Sequence, residues 1–116
     1  LPSSIYITEN IVQNAPVAFT ITGDMANIII NKNHVKNVKD YFFSFGSGKG
    51  NVSGVIASDN ILEVGPNLKA VVKFSGMRVN NIQINANRLI SENNINQVPM
   101  QVNNALSFNK NSVSLK

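Results

Sequence analysis

Cysteine and tryptophan are absent from the 116 residues, and histidine occurs once, at His34. Without thiols there is neither a disulfide framework nor a thiolate metal site. A catalytic triad would have to use His34 beside a serine, yet no Gly-x-Ser-x-Gly elbow occurs. Charged side chains make up 14% of the chain, well below the usual quarter, and the net charge is a modest +4. That excess biases the protein towards anionic partners but is too thin for a dedicated nucleic-acid binder. No apolar run approaches the roughly eighteen residues of a membrane span. The first residue is Leu1, so the chain is expected to be processed or to lack its true start. An extracellular, cell-surface or virion setting is expected over a cytoplasmic one.

Asparagine fills the gap left by charge, with twenty copies. Its clusters separate short runs of alternating Ile, Val and Phe. The apolar fraction of 43% is too high for a disordered chain. A chain of this length buries roughly two-thirds of its unfolded surface, so one domain over residues 1–116 is expected.

The period-2 pattern marks strands at 4–12, 17–22, 26–31, 41–45, 51–57, 61–64, 68–75 and 79–90, with short pieces at 100–102, 105–108 and 113–115. Pro16, Gly23-Asp24 and Gly65-Pro66-Asn67 punctuate them. A helix over Val79–Leu89 is disfavoured, because asparagine at 80, 81, 85 and 87 suits a helix interior poorly. No repeat at a fixed period is evident. The reading is an all-β single domain of about eight to ten short strands, a β-sandwich or flattened barrel of jelly-roll or immunoglobulin-like topology. Phe19, Ile29, Phe43, Val71 and Ile84 are the expected core.

Motifs with chemistry are few. The glycine-rich segment at 46–50 lacks both the spacing and the Lys-Ser/Thr pair of a phosphate loop, and reads as a hairpin tip. The six carboxylates show no metal-loop spacing. Asp24 and Asp59 suit turns. Asn51-Val52-Ser53 fits the N-glycosylation pattern, which chance supplies in a chain this rich in Asn and Ser. No cofactor, metal or enzymatic activity is expected.

Lys32, His34, Lys36 and Lys39 form a stretch that could contact anions, or blunt an edge strand. The aromatic run Tyr41–Phe45 beside it would suit single-stranded nucleic acid if exposed, and core if not. Ile5, Ile7 and Ile11 lie on a segment that Pro16 separates from the next strand. That segment is either an arm able to add to a neighbour's sheet edge or the first strand of its own domain. The expected role is a non-enzymatic structural or interaction module, a subunit of a larger assembly such as a capsid-type virion protein or a surface or pilus subunit. Its partners would be copies of itself or other subunits. A carbohydrate-binding or adhesin domain and a single-stranded nucleic-acid binder are the alternatives. The missing tryptophans count against sugar platforms.

Overall fold

The computed structural model describes residues 4–45, 50–74, 79–91 and 106–115. Eleven strands are present among them: β1 (Ile5–Thr8), β2 (Ile11–Ile21), β3 (Met25–Asn31), β4 (His34–Phe45), β5 (Val52–Ser58), β6 (Ile61–Val64), β7 (Ala70–Phe74), β8 (Val79–Asn85), β9 (Arg88–Ser91), β10 (Leu106–Asn109) and β11 (Ser112–Leu115). They form two sheets, ordered β1-β3-β5-β8-β10 and β11-β9-β6-β4-β2, with β7 also paired to β4. Apart from β6 and β7, which both lie along β4, sequence neighbours fall in opposite sheets, so the chain winds: one pass through the first sheet, a corner, one pass through the second, and round again.

Every described pairing is parallel. This corrects the topology expected from sequence, because jelly-roll and immunoglobulin-like sandwiches are antiparallel. The all-β, two-sheet reading holds. Half-buried strands alternate in the same way whichever direction their neighbours run, so periodicity alone could not separate the two. Gly23-Asp24 marks a corner of the coil rather than a hairpin, and Gly65-Pro66 a turn within the second sheet, between β6 and β7 along β4.

A repeat is present as well, contrary to the sequence reading. Val55 lies beside Ile28 and Ile82 beside Val55, each 27 positions on (28, 55, 82). The outer windings are shorter: Ile5 pairs Ile28 and Ile82 pairs Leu106. Unequal windings hide the period.

Buried side chains from both sheets meet in one core. Ile28, Val55 and Ile82 form one inward column, and Ile30, Ala57 and Ile84 the next, all at 0% exposure. Phe43 stacks on Phe19 at 5.6 Å and on Phe45 at 6.1 Å, and Phe74 extends the row from Phe45. The aromatics of this strand therefore belong to the core, Phe42 included. Tyr41 is half-buried with the Lys73 ammonium 5.3 Å from its ring centre. Of the expected core, Phe19, Phe43, Val71 and Ile84 are buried, whereas Ile29 faces outward between buried Ile28 and Ile30.

Pro16 sits within β2 rather than at a strand start, at a shift in the register against β4. With no neighbour but β4 among the described strands, β2 is an edge strand, and an edge with a register break is where a missing N–H costs least. The segments 79–85 and 88–91 are strands. The strand expected at 100–102 and the residues 46–49 lie outside the described residues.

Candidate functional surface at the open end of the coil

Each described passage from the first sheet to the second uses the same local structure. One residue takes a left-handed backbone and the next is asparagine. The left-handed residues are Glu9, Lys32, Asp59, Ala86 and Lys110, with φ between 55° and 60°. The asparagines are Asn10, Asn33, Asn60, Asn87 and Asn111, at separations of 23, 27, 27 and 24.

These five amides stack into a ladder. The backbone N–H and the Nδ2 of Asn33 both donate to Oδ1 of Asn60, each at 3.0 Å. Asn60 donates in the same way to Asn87, Asn87 to Asn111, and Asn10 to Asn33. The second Nδ2 hydrogen reaches a carbonyl of the preceding coil: Ile7 from Asn33, Ile30 from Asn60, Ala57 from Asn87 and Ile84 from Asn111. An interior asparagine thus uses both amide hydrogens and both lone pairs. That complete satisfaction permits Asn33, Asn60 and Asn87 to be only 1–2% exposed. The residue after each asparagine adds a main-chain bond, from His34, Ile61, Arg88 and Ser112 N–H to the carbonyl of the previous ladder asparagine.

The ladder has a direction. At the first coil, Oδ1 of Asn10 accepts no hydrogen bond among the described residues, although its Nδ2 donates to Thr8 and Asn33. At the last coil, Asn111 Nδ2 donates to Ile84, and neither its other hydrogen nor its backbone N–H has an acceptor among the described residues.

The first coil is also where the core comes to the surface. Ile5 occupies the column of Ile28, Val55 and Ile82, yet it is 36% exposed while they are at 0%. Ile7 and Val12 are half-buried, against the fully buried Ile30 and Val35 that they pair with. Among the described strands, β1 pairs only with β3 and β2 only with β4. The outer edge of this coil is unpaired strand, the situation in which a sheet accepts another chain.

The residues singled out from sequence separate into two groups. Ile5 and Ile7 belong to this uncovered coil, paired to β3 of the same molecule. Ile11 does not share their face. The left-handed turn at Glu9 reverses the alternation, so Val12 takes the inward position and Ile11 is 72% exposed on the outer side. Lys32 stands at a coil corner, in a column between Glu9 and Asp59. His34 and Lys36 flank buried Val35 on the outer side of β4, and His34 Nε2 lies 2.5 Å from Glu63 Oε2. Lys39 follows a second left-handed residue, Asn37, and lines a shallow depression with Asn14 and Pro16. The four basic residues are thus spread over a corner and two stretches of strand, and one is paired with a carboxylate.

Among the described residues no group of three or more His, Asp or Glu is placed to hold a metal ion. Asp24 accepts from Asn51 N–H at 2.8 Å, as turn chemistry requires. No described helix is long and apolar enough to cross a membrane.

The five ladder asparagines carried no weight in the sequence reading. Their signal is a shared context, in which two inward aliphatic or aromatic positions precede a short polar residue, a free position, the asparagine and then Val or Leu two places on. Residues 28–35 (IIINKNHV) and 82–89 (IQINANRL) both show it. Parallel winding, stacked corners and a continuous amide ladder define a parallel β-solenoid. No family model, curated protein or solved structure matches the chain.

Proposed function

We propose that this chain is a non-enzymatic structural module that joins a larger assembly through the outer edge of β1 and β2. The observation that carries the reading is the exposure of core positions at the first coil, Ile5 above all, beside an unpaired strand edge. Apolar positions open to water beside main-chain groups that no described strand pairs form a surface that another chain can cover. Main-chain groups along the edge would supply affinity, and alternating side chains the register.

Light scattering across a wide concentration range tests this. The particle mass is expected to rise in multiples of 12.6 kDa. Ile5→Lys, which puts a charge on the contact surface at a position already open to water, is expected to weaken association roughly tenfold or more, equivalent to about 1.4 kcal/mol. A wild-type chain that stays monomeric at every concentration would overturn the reading.

A second reading has its own observation. On the outer face of the first sheet, Ile29 and Ile56 floor a groove edged by Asn27, Asn81 and Gln83. Uncharged amides beside an apolar floor match the hydroxyl and C–H faces of a sugar chain. Binding of a neutral oligosaccharide that is abolished by Ile56→Lys, with the particle mass unchanged, would favour this reading over assembly.

A further inference from the structure

Charge is divided between the two sheets. The described strands of the first, β1, β3, β5, β8 and β10, contain no acidic or basic residue. In the second, β4 alone carries His34, Lys36, Lys39 and Asp40. A face without charge can be covered without stripping water from an ion, the costliest part of covering a protein surface. Depletion of charge marks the centre of a binding surface for the same reason.

The outer side of the first sheet is ordered in rows that run from strand to strand. The middle row is Tyr6, Ile29, Ile56 and Gln83, set in line by the strand pairing. Tyr6 is 65% exposed and Ile56 39%, so an aromatic ring and an aliphatic side chain lie open along one line. Amides and a hydroxyl flank it on one side, at Asn31, Ser58 and Asn85, and Asn85 Nδ2 donates to Gln83 Oε1 at 3.2 Å. On the other side Asn27, Gly54 and Asn81 share a left-handed backbone, with φ between 53° and 73°. Glycine keeps the space between the two amides open, since a Cβ at Gly54 would lie 3.4 Å from Asn27 Oδ1. That opening is part of the groove floored by Ile29 and Ile56.

Two polar rows with an apolar floor between them match an extended sugar chain, which carries hydroxyls along both edges and C–H groups on its faces. Spacing sets the orientation. Neighbouring strands lie about 4.8 Å apart, close to the advance of one residue in a β-1,4-linked ribbon. Resting on the sugar reading of this groove, we infer that its ligand is an uncharged, extended β-1,4-linked polysaccharide that lies across the strands, along the coil axis, with successive sugar residues on successive coils.

Titration calorimetry with β-1,4-linked oligomers of glucose, mannose and N-acetylglucosamine, two to six units long, tests this. In at least one series the affinity is expected to rise with each added unit through the trimer, the length that spans β3, β5 and β8. The α-1,4-linked glucose oligomers, which curl away from a flat face, are expected not to bind. Gly54→Asn, a residue type that Asn27 and Asn81 already hold in this backbone, should lower the trimer's affinity roughly tenfold or more. Tyr6→Ala should remove the gain from a unit beyond the trimer, and Tyr6→Phe should keep it, because the ring carries the contact. Circular dichroism confirms that each variant is folded. An affinity equal at every length, or matched by the α-1,4 series, would overturn the placement along the coil while leaving the sugar reading intact. No binding in any series would overturn both. A particle mass in light scattering that falls on Gly54→Asn would put a second copy of the chain on this face and overturn the inference.

Discussion

The interior ladder asparagines are the residues on which the fold is least tolerant. Asn60 receives two donors from Asn33 and gives its own to Asn87 and Ile30. Asn60→Ala strands several buried groups at once, each worth about 1–3 kcal/mol. A loss on the order of 3 kcal/mol or more is expected in urea denaturation, as a lower midpoint at unchanged slope. Asn10→Ala, at the exposed end, should cost under about 1 kcal/mol. Asn60→Asp keeps the shape but replaces a donor by an acceptor and buries a charge, so at neutral pH it should be worse than alanine. Burial raises a carboxyl's folded-state pKa above its unfolded value, so that variant should recover stability as pH falls through the carboxylate range, the reverse of a salt-bridged aspartate. The ladder was hard to read from sequence because five asparagines serve it and fifteen do not, at unequal intervals. The left-handed corners were equally hidden. Glycine announces such a conformation, but Glu9, Lys32, Asp59, Ala86 and Lys110 do not.

At the scale of the element, alternation located strands reliably and their inward faces less so. Within Asn27-Ile28-Ile29-Ile30-Asn31 three consecutive isoleucines leave the parity undecided, and the chain turns 28 and 30 inward. Ile30→Ala should therefore cost about 2–5 kcal/mol. Ile29→Ala should cost about 1 kcal/mol or less, a contrast that reports the parity directly. Phe43→Ala should cost about 3–5 kcal/mol, because it opens the centre of the stacked row from Phe19 to Phe45. Corners are the other sensitive elements. Gly50 has φ +86°, and a Cβ there would come within 2.7 Å of the Gly23 carbonyl carbon. Gly50→Ala is consequently expected to lower the melting temperature by several degrees, corresponding to about 1–3 kcal/mol of strain. The basic stretch from Lys32 to Lys39 was legible as residues but not as a surface. Two left-handed positions, Lys32 and Asn37, redirect its side chains, and that information is conformational.

For the whole molecule, each described strand pairs only with strands of the coils before and after its own. Stability is then approximately a sum of coil terms and nearest-neighbour interfaces. Hydrogen exchange should show the amides of β5 and β6, flanked on both sides, as the most protected, and those of β1 as markedly faster. Uniform protection across all coils would mean that the stack opens only as a unit. The two-sheet all-β architecture was legible because it depends on period and turn spacing. The parallel winding was not, because it depends on which strands meet, and those partners lie 23 to 29 residues apart.

Because the chain is wound rather than folded back on itself, it can be unreeled. Pulling on residues at opposite ends of the stack loads the coils in series, and each that gives way releases one turn of chain. A central turn of 27 residues, at about 3.3–3.6 Å per extended residue, would pay out roughly 90 Å. Single-molecule extension should accordingly lengthen in increments of about that size, shorter for the outer turns, where a fold of interlocked sheets would yield in one event.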